Sequence, residues 1–435
     1  MAPVAVTQSL PDLVGQTVDE GRLRLVARLG SGAYGIVYKA LLLSSPKEEP
    51  VYYAVKCLKK FAAGSREAEF QIRELKLHRM MSSHPNIITM HRYFIDPDHI
   101  FVVLDFCPGG DLFVAITEKH LFRRDTALVK KAFCQILDAV QFCHDNNVFH
   151  RDLKPENILC DSQGTQMFLG DFGLSTQSSM CTDIGLGSPF YMSPEAIDLG
   201  FNEAYSCRQS DIWALGVILT NMISGRNPWK AAEVGDECYL TFLENNDFLL
   251  QSLPISRGVN EILKNCFRRE PRARPSIKKL REDVLKLDSF FLSEAELVHA
   301  SSAQRAIAEF YADPTHPESP EGTLCESPVS DVRSVEVYLY DTPPFDGLLA
   351  PPRPVSVTSS DVSDDSTGPA TPAHGPTEPT VDVVVPDLPE DENVGSSALF
   401  LIDDVAKINL GEAKPTRSLF KRAMQRFRVK ATVAS

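Results

Sequence analysis

Between residues 150 and 157 the chain reads His150-Arg151-Asp152-Leu153-Lys154-Pro155-Glu156-Asn157, and Asp171-Phe172-Gly173 begins fourteen residues after Asn157. No packing requirement demands that order of charges. The two clusters are bracketed by Ile158-Leu159-Cys160 and Met167-Phe168-Leu169, short apolar runs of strand type. An Asp-Phe-Gly tripeptide alone carries almost no information, but at this distance from the charged octapeptide it fixes the reading. Whatever the fold, it has to bring these carboxylates and amides to one place.

The rest of the chain supplies a matching order of elements. From about Arg22 to Lys60 the runs LRLVARL, GIVYKALLL and VYYAVKCL, broken by glycines, predict antiparallel strands. Phe70, Leu75, Leu77 and Met80 recur among charges at helical spacing, so about 67–81 reads as a helix ended by His84-Pro85-Asn86. A further strand pair is expected in YFIDPDHIFVVLDF, then helices in ALVKKAFCQILDAVQFCHD and SDIWALGVILTNMISG. The last is apolar nearly all round, the signature of a buried helix. A strand-rich part therefore precedes a helix-rich part, and a helical stretch is expected to run on from Leu292 to Tyr311.

Charge divides the chain again. Residues 311–410 hold 19 Asp or Glu, 3 Lys or Arg and 15 of the 30 prolines, while the remainder carries a net charge of about +2 out of the whole-chain −14. The acidity thus belongs to a tail that lacks periodic apolar positions, and 312–412 is expected to be disordered. Within it Ser319, Ser327, Thr342 and Thr371 each precede proline, as acceptors of proline-directed phosphorylation do and as chance also produces. From Thr416 to Lys430 six basic residues occur with no acidic one, and Leu419, Phe420, Ala423, Met424 and Phe427 share a helical face. Such a segment, 413–435, suits an anionic membrane, a partner protein's groove or the acidic tail itself, or is simply a frayed basic terminus.

Ten cysteines stand apart, without a CxxC pair or a His cluster at metal-ligand spacing, which argues against zinc and against a disulfide framework. The amino terminus has no charged region followed by an apolar one. The longest apolar run, around Ile212 to Leu219, is too short to span a bilayer. Reduced thiols in cytoplasm or nucleus are the expectation, and nothing points to nucleic acid.

Phosphoryl transfer needs a phosphate cradle, carboxylates that hold a metal, and a group that accepts the hydroxyl proton. Gly30, Gly32 and Gly35 form GxGxxG between two strand patterns, where missing Cβ atoms let backbone N–H groups approach phosphate oxygens. A dinucleotide fold uses the same triplet but opens a helix directly after it; here a strand follows. Lys56 in YAVK needs an anionic partner, for which Glu67, Glu69 and Glu74 compete; otherwise it is a surface lysine at a strand end. Asp152 is placed to accept or orient the hydroxyl proton, and Asn157 and Asp171 to hold Mg²⁺.

With these residues in order, the chain from about Leu23 to Phe291 is similar to the eukaryotic protein kinase family. The resemblance implies an α+β, two-lobed fold: a small antiparallel β-rich lobe, a larger helical lobe, ATP in the cleft between them, and a disordered C-terminal tail. On that reading 1–21 is an extension, 22–291 the kinase domain and 292–311 a helical extension. The nucleotide would be held by Leu29, Gly30, Ser31, Gly32, Ala33, Tyr34, Gly35 and Val37, by Ala54 and Lys56, by Leu104 and the hinge Asp105 to Cys107, and by Leu159. Lys56, Glu74, Asp152 and Lys154 would carry catalysis, Glu74 being preferred over Glu67 and Glu69 because it lies in Arg73-Glu74-Leu75, ten residues before His84, where kinase helices place the partner of this lysine. Lys154 and Ser188 in GSPFYMSPE resemble serine/threonine rather than tyrosine kinases, while Glu195 with Arg274, and Asp211, would be structural.

Two departures from the family pattern stand out: Ser193-Pro194-Glu195 in place of APE, and an activation segment, Leu174 to Gly187, with no Lys or Arg. Arg151 and Arg73 then lack a third basic partner for a phosphate on Ser178, Ser179 or Thr182, which favours activity without phosphorylation there. Asp111 and Glu156 resemble carboxylates that hold an arginine upstream of the acceptor; the other reading gives Asp111 to the ATP ribose and Glu156 to solvent. NPWKAA, DECYLTFLENNDFLLQSLPIS and ILKNCFRREPRARPSI resemble fungal kinases of the nutrient-response and meiosis-repressing group. The whole predicts a monomeric serine/threonine protein kinase acting on proteins in intracellular signalling, against a pseudokinase scaffold or a small-molecule phosphotransferase.

Overall fold

The computed structural model describes residues 12–32, 35–200 and 202–312. Its first part is an antiparallel sheet of six strands in the order β1-β2-β3-β4-β6-β5: β1 (Thr17–Val18), β2 (Leu23–Gly32), β3 (Gly35–Leu42), β4 (Tyr52–Lys59), β5 (Met90–Ile95) and β6 (His99–Asp105). Alternation decides which face is buried. Leu23 and Leu25 point inward with Tyr38, Val55, Cys57, Phe101 and Val103, while Arg24 and Val26 face water. Helix α1 (Arg66–Met81) starts where Ser65 caps the Ala68 N–H, with Glu67 and Glu69 at its positive end.

The second part is helical. After α2 (Leu112–Thr117) and α3 (Thr126–Asp145), a hairpin of β7 (Ile158–Cys160) and β8 (Met167–Leu169) follows the 150–157 segment. Short β9 (Met180–Cys181) pairs with β10 (Tyr205–Ser206), with α4 (Pro194–Ile197) between them. Helix α5 (Cys207–Ser224) is buried at every residue from Ser210 to Ser224, as its all-round apolar sequence requires, and Gly225 ends it at φ 65°. Helix α8 (Arg257–Cys266) packs against it, and α6 (Glu237–Glu244), α7 (Phe248–Ser252) and α9 (Ile277–Lys286) contribute to the same hydrophobic core. The aromatic centre of this lobe joins Trp213, Trp229 and Phe267, with Arg274 lying over the Trp213 ring at 4.9 Å.

The stretch after Leu292 forms two helices, α10 (Glu294–Val298) and α11 (Ser302–Ala312). A capping box at Ser293 and Glu296 starts the first. Gln304 then ties the second to the body, donating to the carbonyls of Leu250 (2.7 Å) and Leu253 (3.2 Å). A small β-rich lobe joined to a larger helical one is the α+β class expected. The tail expected to be disordered and the expected basic terminal segment lie outside the described residues. No described helix is long and apolar enough to cross a membrane.

Candidate active site

The sheet register sets Lys56 in the middle of β4, opposite Val37 on one side and Val102 on the other. Its ammonium meets Glu74 Oε1 at 2.6 Å and Asp171 Oδ1 at 3.2 Å. Glu74 lies on the face of α1 that buries Leu77, His78 and Met81, whereas Glu67 and Glu69 are exposed. Burial opposes the charge on Lys56, but Asp171 and Glu74 outweigh it and hold the ammonium protonated well above the ordinary lysine range. In return Lys56 draws the Asp171 carboxyl down to about 2. Three charges from β4, α1 and the segment after β8 thus meet at one point.

Beneath them Phe172 is fully buried, its ring centroid 4.9 Å from that of His78 and 5.3 Å from that of His150. Burial pushes the His78 imidazole down to about 4, so it is neutral and donates from Nε2 to the Ile88 carbonyl at 2.8 Å. This stack locks α1 to the 150–157 segment and fixes Asp171. Two residues here adopt left-handed backbone without being glycine, Arg151 at φ 69° and Asp171 at φ 53°. Strain of roughly 1–3 kcal/mol each persists only where surroundings enforce it. For Arg151 the enforcer is buried Asp211, which accepts from the backbone N–H groups of His150 (3.0 Å) and Arg151 (2.9 Å) and pairs with His144 Nε2 (2.8 Å).

Asp152 is surrounded by donors. Ser188 N and Oγ lie 3.1 and 3.0 Å from Oδ1, while Asn157 Nδ2 and Lys154 Nζ lie 3.1 and 3.2 Å from Oδ2. Lys154 also reaches Ser188 Oγ at 3.0 Å. Asn157 Nδ2 is further held by the Asp152 carbonyl at 2.8 Å, so both of these contacts are made by the amide nitrogen and not by its oxygen. That oxygen and the half-exposed carboxylate of Asp171 are hard oxygen ligands, and they fit Mg²⁺, which takes its remaining ligands from phosphate and water. Among the described residues no trio of His, Cys, Asp or Glu is arranged to hold a metal by itself.

The adenine side of the cleft follows from pairing as well. Ala54 sits opposite Leu104, and Leu159 bridges to Asp111, four residues beyond Cys107. Burial pushes the Cys107 thiol up to about 12, leaving it an unreactive wall. At the cradle, Gly30 and Gly35 differ in kind. A Cβ on Gly30 would meet nothing within 4 Å, open space for a ligand, whereas one on Gly35 would lie 2.5 Å from the Cys57 carbonyl oxygen. Gly35 is therefore required by its neighbouring strand as well as by any phosphate. Leu29 is half exposed, Ser31 and Gly32 pair with Ile36 and Gly35, and Ala33 and Tyr34 lie outside the described residues.

Sequence reasoning missed the partners of Arg151. Its guanidinium bonds the Asp183 carboxylate (2.9 Å) and the Tyr205 hydroxyl (3.1 Å). Asp183 belongs to the segment noted for lacking basic residues; its acidic member was the available signal. The Arg73 guanidinium lies over the Phe70 ring at 4.6 Å. Glu156 is not given to solvent: its Oε2 is sealed from water and has no hydrogen-bond partner among the described residues. Burial, reinforced by nearby Asp111 and Asp152, pushes its carboxyl up to about 7 despite Lys154. The buried Tyr191 hydroxyl beside it is also without a partner, while Asp111 caps α2 through the Val114 N–H at 2.7 Å.

The family model described as protein kinase domain matches residues 23–285. The chain is 40% identical over 292 residues to the negative regulator of sexual conjugation and meiosis of Schizosaccharomyces pombe, a match covering 62% of this chain and 60% of that protein. It is 29% identical to the serine/threonine-protein kinase VHS1 of Saccharomyces cerevisiae, over 67% of this chain and 75% of that one. Against serine/threonine-protein kinase ksp1 of S. pombe the identity is 34%, over 62% and 57%. Taken with the assembled cleft, these matches place the chain in the eukaryotic serine/threonine protein kinase family.

Proposed function

We propose that this protein is a catalytically active serine/threonine kinase that moves the γ-phosphoryl group of ATP onto protein hydroxyls. The observation that carries the reading is the joint assembly of Lys56, Glu74 and Asp171 on one side of the cleft with Asp152, Lys154 and Asn157 on the other. Lys56, fixed by Glu74, holds the α- and β-phosphates. Asn157 and Asp171 would hold Mg²⁺, whose charge offsets that developing on the β- and γ-phosphates. Asp152 orients the acceptor hydroxyl and takes its proton, and Lys154 screens the transferred charge. The Lys154–Ser188 contact closes the peptide side in the manner of Ser/Thr rather than Tyr substrates. Transfer of labelled phosphate from ATP to a basic protein, followed by acid hydrolysis, is expected to yield phosphoserine and phosphothreonine; phosphotyrosine alone, or none, would refute it.

The sealed Glu156 carboxylate, with Asp111 near it, favours a substrate carrying an arginine upstream of the acceptor. A guanidinium would supply the missing partner and charge. Because the carboxyl titrates near 7, it is ionised above that pH and protonated below it. The preference for an arginine peptide over its alanine counterpart is therefore expected to grow from pH 6 to pH 8, and to vanish at both in Glu156→Gln. A ratio that ignores both pH and the substitution removes the assignment.

Arg151 has its anion already, in Asp183. Activity is thus expected from protein treated with phosphatase, whereas Asp183→Ala is expected to lower kcat/KM about tenfold, the equivalent of one charge-assisted hydrogen bond. Loss of activity on dephosphorylation with indifference to Asp183 would reverse this reading. A role in intracellular signalling such as nutrient response is proposed on sequence grounds, and the similarity to a negative regulator of sexual conjugation and meiosis supports a regulatory role. Cytoplasm or nucleus as the compartment, a monomeric state, and a membrane or protein partner for the basic terminus are proposed on sequence grounds.

A further inference from the structure

The Sγ atoms of Cys181 and Cys207 lie 2.8 Å apart inside the protein. Cys181 ends β9 and Cys207 begins α5 immediately after β10. The register pairs Cys181 with Tyr205 and Met180 with Ser206, and the Cys207 N–H donates to the Ser179 carbonyl at 3.0 Å. Cys207 lies two positions beyond Tyr205, the partner of Cys181, so it sits diagonal to Cys181 just past the end of the two-stranded ribbon. Their sulfurs are short of a bond of about 2.05 Å by less than an ångström. Both ends are fixed, Cys181 at 6% exposure and Cys207 at 0%.

We propose that Cys181 and Cys207 form a reversible redox pair whose disulfide, made by a peroxide, staples the activation segment to the start of α5. The charged groups facing the pair act in both directions. Arg151, Asp183, Tyr205 and Asp211 surround it; the guanidinium of Arg151 favours a thiolate, whereas the carboxylates of Asp183 and Asp211 oppose one. The Cys207 hydrogen bond draws the Cys181 thiol below its ordinary range despite burial, and Arg151 adds to this. Cys181 is therefore the attacking sulfur and Cys207 the resolving one.

Each step balances. The Cys181 thiolate attacks one oxygen of hydrogen peroxide, the O–O bond breaks, and the departing hydroxide takes a proton to leave as water. The sulfenic acid so formed is attacked by Cys207 sulfur, an S–S bond replaces the S–O bond, and the second oxygen leaves as water with the Cys207 proton. Two thiols together lose two electrons and the peroxide gains them. A thiol reductant reverses the sequence.

The test treats the full-length folded protein with hydrogen peroxide, blocks remaining thiols by alkylation, and maps peptides by mass spectrometry before and after dithiothreitol. The expected product joins the Cys181 and Cys207 peptides, disappears on reduction, and exceeds every pairing that involves Cys107 or Cys238. Crosslinked protein should melt several degrees higher and resist proteolysis between 174 and 187. In Cys207→Ser, Cys181 should halt at the sulfenic acid, trapped by dimedone. Peroxide that oxidises other cysteines while leaving these two as thiols overturns the proposal, as does a Cys181–Cys207 share no greater than in urea-unfolded protein. None of these readouts depends on kinase activity.

Discussion

Asp152→Ala is expected to lower kcat by ~10²–10⁴, the usual worth of a positioned proton acceptor, while leaving the affinity for Mg-ATP unchanged. The separation of the two effects follows from geometry. Asp152 faces Ser188, Lys154 and Asn157 on the acceptor side, whereas the proposed phosphate contacts would come from Lys56, Asp171 and the cradle around Gly30. Titration with ATP serves as the control for folding. Equal phosphate incorporation by wild type and variant would assign the activity to another protein, and the chain would then be a scaffold. A variant that loses ATP binding along with turnover would show that Asp152 supports the fold of the cleft.

The second large effect is on stability. Arg274 is 4% exposed and makes a two-pronged pair with Glu195, 2.5 Å from Nη1 and 2.8 Å from Nη2, while also donating to the Arg268 and Gln209 carbonyls at 3.0 Å. Arg274→Met leaves the Glu195 carboxylate in a nearly dry site with no cation, so roughly 3–5 kcal/mol of unfolding free energy should be lost. Trp213 and Trp229, the two tryptophans of the chain, both lie in this core, so their fluorescence in a urea titration reports the transition directly. Replacing both partners by apolar residues should recover much of the loss, because the penalty belongs to the orphaned charge. A single-site loss below about 1 kcal/mol would place the pair among solvent-screened surface bridges.

Much of the site could be read in advance because its chemistry is written in unusual local order. The 150–157 octapeptide and Asp171 fix each other by spacing, and Lys56 stands out as a cation in an apolar strand. Glu74 could be singled out by its place in the family pattern, ten residues before His84. The structure supplies the physical reason: Glu67 lies two turns, about 11 Å, further up the helix, and both Glu67 and Glu69 are exposed. Ser188 was legible as a marker of substrate class but not as the residue that holds the Asp152 carboxylate, since that contact spans 36 positions.

What escaped the sequence depends on strands too short to show a pattern. β9 and β10 have two residues each, so nothing periodic announces that Cys181 meets Cys207, or that Asp183 and Tyr205 converge on Arg151. The break between α10 and α11 escaped too, although Ser301 and Gln304 carry a capping signature: Ser301 Oγ accepts from the Gln304 N–H (3.1 Å) and Gln304 Oε1 from the Ser301 N–H (2.8 Å), while Gln304 Nε2 docks on the Leu250 and Leu253 carbonyls. Glu156 shows the same limit. Its place in the octapeptide was plain, but only packing reveals that one carboxylate oxygen is sealed without a partner.

The convergence of Lys56, Asp171 and Asn157 on one nucleotide is tested most directly by calorimetric titration of the full-length protein with ATP, with and without Mg²⁺, in wild type and Asp171→Asn. Wild type should bind ATP more tightly when Mg²⁺ is present, and Asp171→Asn should bind it with an affinity that no longer depends on the metal. ATP affinity that is indifferent to Mg²⁺ in wild type, or a metal dependence that survives Asp171→Asn, would contradict the assembly of this cleft as a kinase active site.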